Sequence, residues 1–261
     1  MAERIVTANP PPWVRFDPAI ETLVVLCKRP KPASVLERVV ERVARRRWLR
    51  LCTVVHGRDP LPASRGALVL VRSSELPTLE LETQHVVYPA ERQRHRCRDK
   101  AQLHAYCRAQ GIATPETFEP AELAEQYVFK RRAGSSGSLV DPFAGLDLVV
   151  QRRVAGTVVK CYGHVECERF LGYEEDTRQP VAVPSHVSAL CRKVLADHGL
   201  VFGGLDFIAS DSWQLIDLNA TTGFGHAPYE DALPVLSAGV ELLLSRASLV
   251  PPGSVPCAIA G

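Results

Sequence analysis

The segment from Gly204 to Gly223 is the feature that most restricts how this chain can fold. Two apolar runs flank a turn at residues 210–212, and they carry Asp206 and Asp217 respectively. Asn219 follows Asp217 by two residues, so the period of a strand places both side chains on one face. Pairing of the two runs as a hairpin would bring Asp206 beside them and present three oxygen ligands suited to Mg²⁺. The alternative is an ordinary hairpin with a polar solvent face, which does not explain acids within apolar runs.

The composition excludes several classes of function. The 261 residues carry a formal net charge of +2, so bulk charge does not indicate a nucleic-acid partner. The N-terminus lacks the apolar stretch of a signal peptide, and no apolar run approaches the roughly 20 residues that span a bilayer. The eight cysteines include no CxxC pair, which favours reduced thiols. We therefore expect a cytoplasmic protein that binds neither nucleic acid nor membrane.

Apolar runs that alternate with a helical pattern predict a small α/β lobe in the first part of the chain. Ser34 is the expected N-cap of its helix, with Glu37 as capping-box partner. We expect an N-terminal arm and α/β lobe at 1–95, a larger region at 96–250 and a flexible tail at 251–261. The predicted elements of the lobe are a strand at 22–27, a helix at 33–48, and strands at 51–55 and 67–71.

The larger region mixes helical and strand patterns. Asp99 is the expected N-cap of its first helix, and Gly111 is the expected C-cap. The predicted elements are helices at 99–110, 185–198 and 228–248, and strands at 126–131, 147–153, 157–168, 205–209 and 213–218.

Two lysines and a loop of small residues are typical of an anion site. Lys100 stands at the start of a helix and Lys130 near the end of a strand, where each can reach a phosphate as a point charge. The following loop could bring backbone amides and hydroxyls to an anion, although a flexible hairpin tip is the alternative. Neither a P-loop nor a dinucleotide-binding glycine motif occurs. The loop consists of Gly134, Ser135, Ser136, Gly137 and Ser138.

A polar bend after the strand at 147–153 could hold a flat heterocycle. The backbone edge near Gln151 could offer it one carbonyl and one amide. Lys160 follows in the next strand. Arg72, after a strand of the first lobe, could clamp a carboxylate or phosphate with two parallel hydrogen bonds.

From Cys97 to Gly225, the ordered set of motifs resembles the ATP-grasp superfamily. The set comprises Arg98-Asp-Lys100, Val128-Phe-Lys130, Gly134-Ser-Ser-Gly137, Val150-Gln151-Arg152, Gly204-Leu-Asp206 and Asp217-Leu-Asn219. The resemblance implies an α/β ATP-grasp fold preceded by a small N-terminal α/β substrate lobe. It also implies ATP and Mg²⁺ as cofactors, with Mn²⁺ as a possible substitute. It assigns the phosphates to Lys100, Lys130 and the loop, the adenine to Gln151 and the backbone of Arg152 and Val154, and the metal ions to Asp206, Asp217 and Asn219.

Within that superfamily, the last segment is most similar to carboxylate–amine ligases of the ribosomal-protein S6 glutamate-ligase type. The similarity implies amide formation through an acyl phosphate, from a small-molecule or peptide carboxylate and an amine acceptor. Lys160 and Arg72 are then the candidate catalytic residues. The segment departs from the ligases in Asp217-Leu-Asn219, where Glu-x-Asn is commoner, and in Lys160, where arginine is frequent. Inositol trisphosphate kinases share both features, so a small-molecule kinase is the alternative. The intact acids and lysines speak against a third reading, a regulatory protein with an inactive nucleotide site.

Overall fold

The computed structural model describes residues 20–29, 34–61, 67–118, 127–132 and 148–247. Their strands form a four-stranded parallel sheet, a three-stranded antiparallel sheet and a five-stranded antiparallel sheet. The predicted α/β class is therefore confirmed. The predicted loop at 134–138 and the predicted tail at 251–261 lie outside the described residues.

The parallel sheet lies within residues 22–88, which we call the N-terminal lobe, and its strand order is β2-β1-β3-β4. Every residue of β1 and β3 is buried, as expected for parallel strands covered on both faces. Ser34 and Glu37 form the predicted capping box at the start of α1. The elements are β1 (Thr22–Cys27), α1 (Val35–Arg47), β2 (Arg50–Val55), β3 (Ala67–Val71), α2 (Leu79–Glu82) and β4 (Val86–Tyr88).

Two consecutive helices connect this lobe to the rest of the chain, α3 (Glu91–Arg98) and α4 (Lys100–Ala109). Asp99 separates them and caps α4, because its carboxylate accepts a hydrogen bond from the backbone amide of Gln102. The cap places Lys100 in the first turn of α4. The sequence predicted α4 but not α3, whose eight residues are mostly basic and show no apolar stripe.

The three-stranded sheet follows α4, and its strand order is β5-β7-β6. Its strands are β5 (Thr117–Phe118), β6 (Tyr127–Arg131) and β7 (Leu148–Arg152). In the antiparallel register, Lys130 of β6 lies opposite Val149 of β7, two residues before Gln151. Lys130 and Gln151 therefore share one face of this sheet.

The five-stranded sheet has the order β10-β9-β8-β11-β12. One of its faces packs on α4 and α5 through buried side chains that include Leu205, Phe207 and Val194. The predicted strand at 157–168 was too long, because the chain turns after His164 and the amide of Cys167 returns to the His164 carbonyl. The elements are β8 (Thr157–His164), β9 (Leu171–Glu174), β10 (Pro180–Val181), α5 (Ser185–Asp197), β11 (Phe202–Ala209), β12 (Trp213–Asn219) and α6 (Tyr229–Ala247).

A β-bulge in β12 decides which side chains reach each face of that sheet. Asp206 lies opposite Asp217, but Phe207 lies opposite Leu215, so Ile216 is an extra residue in the register. Because of this extra residue, Leu215 and Leu218 can both pack in the apolar core although they are three positions apart. Asp217, between them, stays on the opposite face beside Asp206.

The last helix, α6, joins the N-terminal lobe to the five-stranded sheet. Its buried Leu236 and Val240 belong to the same apolar core as helix α1. Glu241 forms ion pairs with Arg46 and Arg47 at the end of α1, with the Arg46 Nη2 at 2.6 Å. No helix within the described residues is both long and apolar enough to cross a membrane.

Candidate functional site

A row of charged side chains crosses the face of the five-stranded sheet opposite its α4–α5 core. Lys160 of β8 is paired with Asp206 of β11, and Asp206 is paired with Asp217 of β12. We call these three residues the charged row. On the same face, two positions from the pair of Asp206 and Asp217, Gly204 lies opposite Asn219. The hairpin therefore brings the three predicted metal ligands together, as the sequence indicated.

Asp206 lies between a cation and a second acid. The Lys160 Nζ is 2.8 Å from the Asp206 Oδ2 and 2.9 Å from the Glu175 Oε1. Burial raises the pKa of Asp206 to about 6; the Lys160 ammonium opposes this rise, and the Asp217 carboxylate adds to it. Burial disfavours the ammonium of Lys160, but its two carboxylate partners outweigh that effect and raise its pKa. The repulsion between Asp206 and Asp217 is a reason for a cation to bind here.

Two more lysines approach the same acids from other elements. The Lys100 Nζ, at the start of α4, is 3.4 Å from the Asp217 Oδ1, and its side chain is 4% exposed. Burial lowers the pKa of Lys130 on β6, and the nearby Lys100 charge lowers it further, while Asp217 opposes both. Three lysines thus meet Asp206, Asp217 and Glu175, and their formal charges balance. A bound polyphosphate would bring negative charge that a divalent cation could offset.

The donor set fits Mg²⁺. Asp206 and Asp217 supply carboxylate oxygens, and Asn219 supplies an amide oxygen, which are the hard ligands that Mg²⁺ prefers. The Asn219 Oδ1 accepts the backbone amide of Thr221 at 3.1 Å, which orients the amide and leaves a second lone pair. The described residues contain no group of three His, Cys, Asp or Glu side chains that could hold a metal, so at this site the amide of Asn219 has to be the third protein ligand. With two carboxylates and one amide from the protein, water and phosphate would supply the remaining ligands.

The predicted adenine-binding residues lie on and after β7. Gln151 is buried, and its Nε2 lies 2.7 Å from the Nε2 of His104 on α4. The backbone N–H of Arg152 donates to the Glu116 carbonyl at 2.8 Å. The Arg152 N–H is therefore already engaged within the three-stranded sheet. Val154 follows the strand and is half-buried.

Arg72 lies at the boundary between the N-terminal lobe and the loop after β12. Its Nη1 donates to the Glu37 Oε2 at 2.8 Å, and both side chains are mostly buried. A Cβ placed on Gly223 would be 3.7 Å from the Arg72 Nη2. The structure therefore places Arg72 beside the loop that follows the predicted metal ligands. A pocket of about 40 Å³ lies at the start of the loop after β12. Its lining residues include Ser74, Arg98, Asp217, Asn219 and Thr221.

The structure adds residues that the sequence reasoning missed. His104 is four positions after Lys100 on α4, so helical spacing could have marked it as a neighbour. Glu175 follows β9, a strand that the sequence did not predict, and nothing in the pattern marked it. His226 was not missed, because the sequence places it close to the segment from Asn219 to Gly223; its Nδ1 lies 3.1 Å from the Tyr162 hydroxyl oxygen.

The architecture matches solved structures of ATP-grasp enzymes. The ATP-grasp ligase PsnB, complexed with a phosphomimetic variant of a minimal precursor, Mg and ADP, superposes with a TM-score of 0.61 at 16% identity, covering 90% of this chain and 99% of that one. A RimK domain protein ATP-grasp from Sphaerobacter thermophilus DSM 20745 gives 0.63 at 14% identity, covering 88% of this chain and 100% of that one.

A third similar structure is the RiPP-associated ATP-grasp ligase of Chryseobacterium gregarium, in complex with ADP and a leader and core peptide. It gives a TM-score of 0.64 at 13% identity and covers 87% of this chain and 97% of that one. No protein-family model matches the sequence, and no curated protein matches it significantly. The likeness is therefore one of structure, and the chain has the ATP-grasp fold that its motifs indicated.

Proposed function

We propose that this protein is an ATP-dependent ligase that joins a carboxylate to an amine through an acyl phosphate. The observation that carries the proposal is the charged row together with Lys100 and Lys130, because two acids face one another there and three lysines lie near them. Such an arrangement suits a magnesium-bound polyphosphate better than any neutral ligand. The structural neighbours include ligases complexed with Mg and ADP, which supports the same assignment.

Each polar group of the site has a role in this proposal. Lys100 and Lys130 bind the phosphates, and Gln151 with the backbone of Arg152 and Val154 binds the adenine. Asp206, Asp217 and Asn219 hold Mg²⁺, which supplies positive charge against the phosphate oxygens when bound. Lys160 stabilises the charge of the phosphoryl group during transfer, where a fixed cation in a half-buried site has its largest effect.

The proposed ligation has two steps. A carboxylate oxygen attacks the γ-phosphorus of ATP and releases ADP, giving an acyl phosphate. The amine then attacks the acyl carbon, phosphate leaves, and the amine loses a proton. The protein's part is to align these groups and to offset their charge. In this proposal Arg72, which lies beside the loop after β12, orients the carboxylate before it is phosphorylated.

The structural neighbours indicate which class of carboxylate the protein would use. PsnB and the Chryseobacterium gregarium ligase are complexed with precursor or core peptides, and this favours a peptide carboxylate over a free small acid. We therefore propose a carboxylate of a peptide as the substrate.

A kinase that phosphorylates a hydroxyl is the second candidate. Lys160 favours it, since this lysine is held between Asp206 and Glu175 at the position where ligases often carry arginine. A lysine offers one point charge to the transferred phosphoryl group, whereas an arginine offers a planar fork. The kinase would use the same nucleotide site and differ only in the attacking oxygen.

One incubation separates the two candidates. The protein is given ATP, Mg²⁺ and pooled peptides, amino acids and polyols, with and without hydroxylamine, and is followed by ADP release and mass spectrometry. A ligase gives a condensation product, and hydroxylamine diverts its acyl phosphate to a hydroxamate. A product that gains a phosphoryl group and forms no hydroxamate makes the protein a kinase.

Two variants with the same Asp→Asn substitution test the assignment of the charged row. Asp217→Asn should abolish ADP release. Asp211→Asn, in the exposed turn of the same hairpin, should leave it unchanged. Equal loss in both variants, or in neither, would contradict the assignment of the charged row.

A further inference from the structure

Four groups form a hydrogen-bonded chain behind β7, which we call the relay. The Gln151 Nε2 lies 2.7 Å from the His104 Nε2, and the His104 Nδ1 lies 2.5 Å from the Thr114 Oγ1. The Thr114 hydroxyl in turn donates to the Leu215 carbonyl at 2.8 Å. The relay thus connects β7 of the three-stranded sheet with α4 and with β12, the strand that carries Asp217.

The direction of the relay follows from its last member. The Leu215 carbonyl can only accept, so the single proton of the Thr114 hydroxyl points towards it. The Thr114 oxygen must then accept from His104, which places the ring proton on Nδ1. The Nε2 of His104 is left as an acceptor, so its partner must be the NH₂ group of Gln151. The Gln151 amide therefore has one favoured orientation.

Burial keeps the relay in this arrangement. His104 is fully buried, and Gln151 is 1% exposed. Burial lowers the pKa of His104 to about 4, and the nearby Lys130 and Lys100 charges act in the same direction. The ring is therefore neutral near pH 7 and must carry its proton on one of its two nitrogens.

The remaining polar atom of the Gln151 side chain is its carbonyl oxygen, which can only accept. Gln151 shares a sheet face with Lys130, whose ammonium lies near the charged row. A base bound at this end of the site would meet an acceptor from Gln151. The 6-amino group of adenine donates, whereas the 6-oxo group of hypoxanthine or guanine accepts.

We propose that His104 and Thr114 are positioning residues that fix the Gln151 amide and so make the site select adenine over 6-oxopurine nucleotides. The proposal rests on the proposed function in one respect, namely that the nucleotide base lies against Gln151. Loss of the Thr114 hydroxyl frees the ring to move its proton to Nε2. The Gln151 amide then turns over to accept from it and presents NH₂ to the base.

The first test measures base selection by calorimetry, with ADP and IDP as probes in the presence of Mg²⁺. These diphosphates differ only in the purine, and neither can transfer a γ-phosphoryl group. The unmodified protein should bind ADP at least about tenfold more tightly than IDP, as expected when a buried acceptor faces an acceptor. Thr114→Val should bring the two affinities within about threefold, mainly through tighter IDP binding.

Two variants control that result. Thr114→Ser keeps a hydroxyl and should restore the preference for ADP. Thr117→Val makes the same substitution on β5, where the hydroxyl accepts a hydrogen bond from Arg108, and should keep the full preference. A Thr114→Val protein that folds and keeps the full preference for ADP overturns the proposal.

A second test needs neither a nucleotide nor a variant. Nitrogen-15 NMR of the imidazole distinguishes the two neutral tautomers, and the relay predicts that His104 carries its proton on Nδ1. A proton on Nε2 overturns the proposal even if Thr114→Val does not fold. If neither ADP nor IDP binds, both the proposed function and this inference fail. If ADP binds but the selection does not depend on Thr114, only the inference fails.

Discussion

The two antiparallel sheets hold the polar groups of the candidate site in different ways. On the five-stranded sheet, Lys160, Asp206 and Asp217 are formally charged and lie opposite one another across three strands. On the three-stranded sheet, Gln151 is neutral and hydrogen-bonded to the neutral ring of His104. One end of the site is therefore built from opposed charges and the other from directed hydrogen bonds.

This difference corresponds to what the two ends of a nucleotide require. Phosphates carry charge without a fixed donor and acceptor pattern, so point charges and a metal ion suit them. A purine is neutral, and only the direction of its hydrogen bonds distinguishes adenine from hypoxanthine. A substitution at the charged end should therefore change the overall nucleotide affinity or the stability of the fold. A substitution at the neutral end should change the selectivity between purines.

The largest effect on stability is expected at the charged row. Lys160→Ala should lower the free energy of unfolding by about 3 kcal/mol at pH 8, because it leaves the Asp206 carboxylate without its partner at 2.8 Å. Lys193→Ala removes an exposed ion pair with Asp197 and should cost less than about 1 kcal/mol. Urea denaturation measures both variants. Equal losses of stability in the two variants would mean that the ion pair between Lys160 and Asp206 contributes no more than an exposed surface pair.

A double variant sharpens that prediction. Adding Asp206→Asn to Lys160→Ala removes the stranded charge and should recover part of the lost stability. If the second substitution lowers the stability further by its full single-variant cost, the two residues act independently and the ion pair contributes little.

The relay predicts a smaller effect that depends on pH. The pKa of His104 falls from an ordinary 6.5 to about 4 in the folded protein, so the unfolded chain takes up a proton first as the pH falls. Stability should therefore decrease between pH 6.5 and about 4, with a His104 contribution of about 2 kcal/mol between pH 7 and pH 5. His104→Gln should lack that contribution. Chemical denaturation at both pH values measures it, and an unchanged pH dependence in the variant would contradict the buried neutral ring.

The smallest expected effect separates the two ends most cleanly. Lys130→Met should weaken ADP and IDP binding by the same factor, about tenfold, because the phosphates lose one ammonium partner whichever base is attached. The ratio of the two affinities should stay constant. Calorimetry with both nucleotides checks this, and a changed ratio would mean that Lys130 also orients the base.

The sequence predicted the placement of Asp206, Asp217 and Lys100 better than the surroundings of Gln151. Asp206 and Asp217 stand within apolar runs, and Asp99 is a strong N-cap that places Lys100 at a helix start, so local patterns were sufficient. Strict alternation would have placed Leu215 on the face of Asp217, and only the extra residue Ile216 allows the observed arrangement. A bulge depends on the partner strand and leaves no local signal.

The base end depends on contacts between distant segments. His104 meets Gln151 from a separation of 47 residues, and Thr114 meets Leu215 from a separation of 101. From sequence alone, Gln151 resembled a residue that faces a nucleotide directly, and its hydrogen bond with His104 was not predictable. The helix α3 was missed for a simpler reason, since its basic residues lack the apolar spacing by which helices are recognised.

The central claim is that the acids of β11 and β12 bind a metal–nucleotide complex, and calorimetric titration of ADP with and without Mg²⁺ tests it most directly. The unmodified protein should bind ADP at least about 30-fold more tightly with Mg²⁺. Asp217→Asn should lose most of that gain while its metal-free affinity changes little, and Asp211→Asn should keep it. If ADP affinity is the same with and without Mg²⁺, or if Asp217→Asn keeps the full gain, the claim is contradicted.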